Sequence, residues 1–304
     1  MIASIVLNDM NRTFYAAYGY RSWMLQDIQQ PYEVILNLFN DKEHYFKMLS
    51  SGCNSRCTPV IKSYPQPEFF NIAAANNLGL YYANGTYVLF ANSDVIYPSN
   101  FLREYIRELS MRKICYALGS RVYLNARQTQ SLSEPITYTL ENNFDFMRGY
   151  ENLKGRKTGG SSSPWTVLRE VAQNIGGFDP QIVCHEDSEF NDRVMHYLRR
   201  TGQQHCLYSV VDLFGYHLSH PDSELYDASI QAISILEPRR VRLQSDPGSS
   251  EDICPTRLHS LKSLKEDFYK TIPPQGNFKK SVMKSSLMKP LKRSIKILLE
   301  GMQV

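Results

Sequence analysis

The chain has 304 residues, of which 42% are hydrophobic and 21% are charged. This is the composition of a folded globular protein that can bury a large core in one or two domains, and it excludes a mainly disordered chain. The net charge of +4 is uneven, because residues 279–304 carry seven Lys or Arg against one Glu, a local charge of +6 that leaves about −2 elsewhere. Since the body has no basic stripe, a nucleic-acid partner is not expected.

Strands and helices alternate along the first part of the chain. The pattern predicts apolar strands at residues 4–7, 33–38 and 87–91 and helices at residues 13–29, 69–83 and 101–111. This alternation is typical of parallel βαβ units, and strands that are apolar throughout indicate a sheet covered on both faces. Each predicted strand ends in a polar cluster, and ligands of such sheets bind beyond the carboxyl ends of the strands.

The second part of the chain is less regular. A strand is predicted at residues 121–124, a flexible loop at the Gly-Gly-Ser-Ser-Ser sequence of residues 159–163, helices at 167–174 and 187–200, and a strand at 209–214. The helix at 187–200 has Phe190, Val194 and Leu198 on one apolar stripe. Residues 245–278 are predicted to be a linker with a short helix, and residues 279–304 a basic amphipathic tail.

The six cysteines are too few and too scattered for a disulfide framework, and Cys53-x3-Cys57 has no second pair at zinc-site spacing. The N-terminus has no signal-peptide pattern, and no apolar run approaches the ~20 residues that span a bilayer. The expected location is therefore cytoplasmic. If helical, residues 279–299 could also bind an anionic membrane surface, with a docked helix or a disordered tail as the alternatives.

The first stretch with possible chemistry is Asn92-Ser93-Asp94, directly after a predicted strand. A carboxylate at the mouth of a parallel sheet can hold Mg²⁺ or Mn²⁺ and leave coordination positions for a diphosphate. By itself this tripeptide is more often a plain turn.

The second stretch is Glu186-Asp187, at a predicted helix start after Gly176-Gly-Phe-Asp-Pro180. The helix dipole favours ionised carboxylates there, and such a group can take a proton from a bound hydroxyl. The alternative is a simple N-cap at Asp187 or Ser188.

The third stretch is His217-x-x-His220, after the last predicted strand. Either imidazole could add a nitrogen ligand to a metal at Asp94. A solvated surface pair is the more common situation.

In this order and spacing, the segments resemble the GT-A glycosyltransferases, in particular inverting family 2 and relatives with a galactosyltransferase-like second half. The resemblance covers roughly residues 4–220. The matching segments are Asn77-Leu-Gly79, Ala83-Asn-Gly85-Thr-Tyr87, Asn92-Ser-Asp94, Gly176-Gly-Phe-Asp179 and Glu186-Asp187.

The resemblance implies an α/β fold of the GT-A type, Rossmann-like, with a mostly parallel central sheet flanked by helices and a C-terminal helical extension. It implies a glycosyltransferase domain at residues 1–244, with a nucleotide-sugar-binding half at 1–118 and an acceptor and catalytic-base half at 119–244. The implied reaction moves a sugar, as in hexosyltransferases, from a nucleotide sugar to a hydroxyl of a glycan or lipid-linked glycan.

The resemblance also implies residue roles. Asp187 would be the general base of an inverting reaction, with Glu186 beside it, and Asp94 would hold Mn²⁺ or Mg²⁺ with His217 or His220. Trp165 and Gly160 would lie on the acceptor side, although a core position for this Trp is equally expected. The implied nucleotide-sugar-binding residues are Asn8, Asp9, Asn11, Asp41, Asn76, Asn92 and Ser93.

Three positions depart from the family pattern. Asn92 replaces the first Asp of the Asp-x-Asp motif, and Asn76 replaces a common Arg. Leu38-Phe39, with Asn40-Asp41 beyond, replaces the acidic residues that contact the base. UDP is therefore expected only as the commonest nucleotide of the family.

Three other functions fit the sequence less well. A non-catalytic scaffold on a decayed transferase fold would explain Asn92, and a retaining transferase would use the same fold. A sugar-1-phosphate nucleotidyltransferase needs a Gly-rich loop after the first strand, and residues 8–13 contain no glycine.

Overall fold

The computed structural model describes residues 1–10, 12–67, 70–129, 156–182, 185–203, 207–219 and 261–270. In these ranges the strands are Ala3–Asp9 (β1), Tyr32–Leu38 (β2), Cys57–Ser63 (β3), Tyr87–Phe90 (β4), Val95–Ile96 (β5), Tyr116–Tyr123 (β6), Arg156–Leu168 (β7) and Leu207–His217 (β8). The helices are Thr13–Met24 (α1), Glu43–Leu49 (α2), Ile72–Tyr82 (α3), Phe101–Met111 (α4), Arg169–Asn174 (α5), Glu186–Arg200 (α6) and Leu261–Lys270 (α7).

The described strands form one sheet in the order β3-β2-β1-β4-β7-β6-β8-β5. β1 pairs in parallel with β2 and β4, β2 with β3, and β6 with β8. β7 runs antiparallel to both β4 and β6, and β5 runs antiparallel to β8. The mostly parallel sheet expected from the sequence is therefore confirmed, with β5 and β7 as the reversed strands.

The sheet is covered on both faces, as the apolar strands predict. Along β1, Ile5 and Leu7 belong to a core cluster with α1 and α4, whereas Val6 between them belongs to a second cluster with α3, α5 and α6. The second cluster depends on a close approach at Gly79, because a Cβ there would lie 2.2 Å from Val6 Cγ1. This contact explains the glycine of the Asn77-Leu-Gly79 segment as a packing residue.

The prediction of a flexible loop at residues 159–163 was wrong. These residues lie within β7, where Ser162 pairs with Gly119 and Thr158 with Arg121 of β6. The register shifts on either side of Gly119. Backbone pairing with β6 thus gives a strand from a composition that favours a loop.

Helix bounds and short elements differ from the sequence prediction as well. α1 ends at Met24 rather than residue 29, and α3 begins at Ile72, where the side chain of Asn71 accepts a hydrogen bond from Ala74 N. The elements α2, β3 and β5 were not predicted. α4 has the predicted bounds.

The chain divides into a compact unit, Met1–Pro274, and a second unit, Gln275–Val304, in which no residue is described. The basic tail and most of the predicted linker therefore lie outside the described residues. The short helix predicted between 245 and 278 is α7, and its Phe268 stacks on Phe39 at 4.4 Å between ring centroids. Among the described residues, no helix is long and apolar enough to cross a membrane.

Candidate active site

Asp9, at the end of β1, connects the loops that follow β1 and β2 through hydrogen bonds of its side chain. Its carboxylate accepts hydrogen bonds from Arg12 N (3.0 Å), Thr13 Oγ1 (3.1 Å) and Asn40 Nδ2 (2.8 Å). The residue is buried, and this burial raises the pKa of its carboxyl although the hydrogen bonds and Arg12 act in the opposite direction. Asp9 therefore shapes the carboxyl edge of the sheet.

A row of three asparagines crosses the same edge from β2 to α3. Asn37 Nδ2 donates to Asn8 Oδ1 at 2.9 Å, and Asn8 Nδ2 donates to Asn76 Oδ1 at 2.7 Å. The structure thus brings together Asn8 and Asn76, both predicted, and Asn37, which the sequence analysis missed. Its signal was an amide near the end of a mostly apolar strand, where a buried polar group needs a partner.

The loop after β2 does not bring Asp41 into this edge. The Asp41 side chain is 84% exposed and pairs with Lys42 Nζ at 2.9 Å. Its neighbour Asn40 is the residue that turns inward, to Asp9. Asn11, also predicted to contact the donor, lies outside the described residues.

Asp94 is buried beyond the end of β4 and contacts two side chains that are remote in sequence. Arg12 Nη1 donates to Asp94 Oδ2 at 3.2 Å, and His217 Nε2 lies 3.7 Å from Asp94 Oδ1. His217 is brought there because β5 pairs with β8, with Val95 opposite His217, and because Leu218 N donates to Asp94 O at 2.9 Å. Of the two histidines predicted as alternatives, His217 lies close to Asp94 and His220 lies outside the described residues. Arg12 was missed.

Asn92 and Ser93, both half-buried, form the turn before Asp94, where Asn92 O accepts a hydrogen bond from Val95 N at 3.3 Å. Helix α1 packs closely against this turn at Gly19, where only glycine fits because a Cβ would lie 2.2 Å from Ser93 O. The turn is therefore held by the backbone of α1 on one side and by β8 on the other.

The Glu186-Asp187 pair begins α6, with His185 at the N-cap in a left-handed conformation (φ 61°). The N-cap alternative for Asp187 or Ser188 was therefore wrong. Burial, followed by the neighbouring Asp187 carboxyl, raises the pKa of Glu186 to about 8. Asp187 is half-buried, and its Oδ1 accepts a hydrogen bond from Ser188 N at 2.7 Å. The two carboxyl groups therefore lie side by side at the N-terminal end of α6, one buried and one half-buried.

A buried ion pair fixes the start of α6 to the preceding glycine loop. Arg193 Nε donates to Glu189 Oε1 at 2.5 Å, and both side chains are fully buried. The same guanidinium donates to Ile175 O (2.7 Å) and Gly177 O (2.6 Å). Gly176 and Gly177 have φ values of 79° and 73°, a backbone region that favours glycine.

Helix α3 holds the other side of this loop. Asn77 exchanges two hydrogen bonds with the backbone of Phe178, at 2.7 and 2.8 Å, and Asn71 Nδ2 donates to Pro180 O at 2.7 Å. Phe178 in turn stacks on Phe190 of α6 at 4.1 Å and meets Phe90 of β4 at 4.8 Å. The Glu186-Asp187 turn and the strand that leads to Asp94 are therefore anchored in one aromatic cluster.

Comparison with known families identifies the chain. A family model described as "Glycosyltransferase like family 2" matches residues 6–207, which is more than half of the chain. The chain belongs to this family. It is a glycosyltransferase, and no curated protein matches it.

Solved structures show the fold that this glycosyltransferase shares. The structure of S. aureus TarS 1-349 in complex with UDP matches with a TM-score of 0.53 and 11% identity, over 83% of this chain and 68% of that one. The mannosyltransferase PcManGT from Pyrobaculum calidifontis, in complex with GDP-Man and Mn²⁺, matches with a TM-score of 0.51 and 13% identity, over 86% and 69%. The chain covers 42% of a longer TarS structure. The GT-A fold expected from the sequence is confirmed.

The side chains around Asp94 fit a divalent cation in part. A carboxylate oxygen and an imidazole nitrogen that face each other are donor types that Mn²⁺ accepts. Within the described ranges, however, no group of three His, Cys, Asp or Glu side chains could hold a metal. The glycosyltransferase would thus offer two protein ligands here, and diphosphate or water oxygens would complete the coordination.

Trp165 and Gly160, the predicted acceptor residues, both lie in β7. Trp165 is 9% exposed, pairs with Phe90 in the sheet and belongs to the aromatic core cluster of β4 and α6. Its burial fits the core alternative, and its contact with an acceptor stays a prediction.

Proposed function

We propose that this glycosyltransferase transfers a sugar from a nucleotide-sugar donor to a hydroxyl of a glycan or lipid-linked glycan, with a divalent cation and with inversion of the anomeric centre. The observation that carries the proposal is buried Asp94, at the carboxyl edge of the sheet, between Arg12 and His217. This edge is where parallel α/β sheets bind ligands.

The donor would lie along the edge from β2 to β8. TarS has been crystallised with UDP and with UDP-GlcNAc, and PcManGT with GDP-Man, which supports a nucleotide-sugar donor here and leaves the base open. The asparagine row and Asn40 offer neutral hydrogen-bonding groups for the nucleoside. Phe39, where the family has an acidic residue, is fully buried between Tyr64 and Phe268. We infer that the base is recognised by amides here, with UDP as the first nucleotide to test.

The departing nucleoside diphosphate would be stabilised by a positive charge held next to Asp94. Breaking the bond between the anomeric carbon and the diphosphate oxygen leaves negative charge on the nucleoside diphosphate. A divalent cation held by Asp94 and His217 would neutralise part of this charge. The hydrogen bond from Leu218 N to Asp94 O, and the close approach of Gly19 to the neighbouring Ser93, would keep the Asp94 carboxylate in place during the reaction.

Asp187 would act on the acceptor. As the acceptor oxygen bonds to the anomeric carbon from the face opposite the diphosphate, the Asp187 carboxylate takes the proton of that hydroxyl. The bond to the diphosphate breaks with its electron pair on the leaving oxygen, so the anomeric centre is inverted. Glu186, whose carboxyl pKa is raised by burial, would lie beside this base, and Arg193 and Asn77 would position the turn through the glycine loop.

A non-catalytic nucleotide-sugar-binding protein is the second candidate, and Asn92 in place of a carboxylate favours it. Mn²⁺-dependent turnover, measured with a panel of UDP- and GDP-sugars and with water or added glycans as acceptors, separates the two. Release of nucleoside diphosphate that stops with chelator and returns with Mn²⁺ supports the transferase. Donor binding without any release supports the binding protein.

We also propose that the basic residues 279–299 bring the enzyme to an anionic membrane surface on the cytoplasmic side. Each well-placed basic residue adds about 1 kcal/mol of attraction to such a surface. This location would suit a lipid-linked glycan acceptor.

A further inference from the structure

We propose that Arg12 is a second cation of the donor site: it pairs with Asp94, and it binds the donor diphosphate when a divalent cation binds at Asp94. This inference rests on the proposed function and adds to it a residue and a coupling between the binding of cation and donor. It would make cation and donor bind cooperatively.

The backbone of Arg12 is fixed, whereas its side chain reaches from solvent to a buried carboxylate. Arg12 N donates to Asp9 Oδ1 at 3.0 Å, and its carbonyl accepts a hydrogen bond from Ala16 N at 3.0 Å. The side chain of Arg12 is 34% exposed, while that of Asp94 is only 7% exposed. The Arg12 side chain therefore links the buried Asp94 carboxylate to solvent.

The charges at this turn favour an exchange of partners. An Asp-x-Asp turn would offer two negative charges to a cation, but here Asn92 is neutral and the charge of Asp94 is balanced by Arg12. A divalent cation between Asp94 Oδ1 and His217 would share this carboxylate with the guanidinium on Oδ2, and its positive charge would weaken the ion pair that holds Arg12 there. Once this pair is weakened, the guanidinium is a positive group next to the cation, and its paired N–H donors match phosphate oxygens.

A purely structural ion pair would behave differently. Loss of Arg12 takes a partner from the buried Asp94 carboxylate, so some loss of stability is expected whatever the role of the pair, and stability alone does not distinguish the two roles. Loss of a competitor for Asp94 should strengthen the binding of Mn²⁺ alone, whereas loss of a diphosphate ligand should weaken the binding of nucleotide. Opposite changes in the two affinities therefore identify the proposed role.

The experiment measures binding to the full chain by titration calorimetry, with Mn²⁺ alone and with UDP and GDP at saturating Mn²⁺. In Arg12→Ala we expect Mn²⁺ alone to bind about two- to fivefold more tightly. We expect the nucleotide that binds the wild type to bind about 10- to 100-fold more weakly. Arg12→Lys keeps the charge but not the paired donors, so its two affinities should lie between those of the wild type and those of Arg12→Ala. Arg103→Ala is the matched control, because it removes another Arg–Asp pair that lies on the surface.

Thermal unfolding of each variant shows whether it is folded. Unchanged affinities for both probes in Arg12→Ala, or a loss of both together, overturn the inference while the proposed function stands. If the wild type binds neither UDP nor GDP with Mn²⁺, the donor site itself fails, and the proposed function and this inference fail together.

Discussion

The buried pair of Arg193 and Glu189 offers a sharp test of how the Glu186-Asp187 turn is held in place. Replacing Arg193 with Met keeps a long apolar side chain but removes every hydrogen bond of the guanidinium. Glu189 would then be a fully buried carboxylate without its partner, and the carbonyls of Ile175 and Gly177 would lose their donors. Breaking a buried ion pair from one side costs about 3–5 kcal/mol.

Two comparisons separate the parts of this cost. In the double variant Glu189→Leu with Arg193→Met, no buried charge remains, so the loss should fall to about 1–3 kcal/mol, the cost of the unpaired carbonyls. Arg112→Met is the matched control, because Arg112 and Glu108 form the same i,i+4 pair on the exposed side of α4, where such pairs contribute about 0.3–0.5 kcal/mol.

The assay is urea unfolding of the four proteins at one pH, followed by far-UV circular dichroism. We expect the free energy of unfolding to decrease in the order wild type, Arg112→Met, double variant, Arg193→Met. Donor turnover should fall in Arg193→Met as well, because the loop before Asp187 is released. A loss below about 1 kcal/mol in Arg193→Met would refute the burial and the role of this pair.

Two further predictions concern charge. The folded-state pKa of Glu186 lies above its ordinary value of 4.5, so the stabilising contribution of this carboxyl is fully present below about pH 4.5 and is lost as the pH rises towards 8. The free energy of unfolding, measured in urea at pH 5, 6.5 and 8, should therefore rise in Glu186→Gln relative to the wild type as the pH increases, by up to about 1.4 kcal/mol per pH unit. A difference between the two proteins that is constant with pH would contradict the raised pKa. Liposome sedimentation should show the full chain bound to anionic vesicles and a chain ending at Asn277 mostly free, with both free on neutral vesicles; equal binding of both chains to anionic vesicles would exclude residues 279–299 as the anchor.

The parts of the fold that the sequence predicts are those with a strong local signal. The apolar runs of β1, β2 and β4 and the helix at Phe101–Met111 need only hydrophobic periodicity, and they lie where it indicates. β3 was missed because Pro59 and a half-exposed pattern are typical of an edge strand, which it is. β5 has two residues and exists only through its pairing with β8.

The residues of the candidate site also fall into those that a sequence motif indicates and those that only the structure shows. Motif order names Asp94 and leaves His217 and His220 as alternatives, and the structure places His217 Nε2 3.7 Å from Asp94 Oδ1. Arg12 could not be named from the sequence, because nothing in a polar loop indicates which side chain reaches a carboxylate 82 positions away. Arg193 could not either, since an Arg four residues after a Glu on a helix usually indicates a solvent-exposed pair. Its burial depends on the glycine loop that folds over it.

The most direct test of the central claim is the rate of Mn²⁺-dependent sugar transfer by Asp187→Asn, measured at saturating concentration of the donor that the panel identifies. The variant should fold and bind donor and Mn²⁺ like the wild type, and it should transfer sugar about 10²–10⁴-fold more slowly, because a positioned base contributes that factor. A variant that transfers sugar at the wild-type rate would contradict the assignment of Asp187 as the general base and the inverting mechanism built on it.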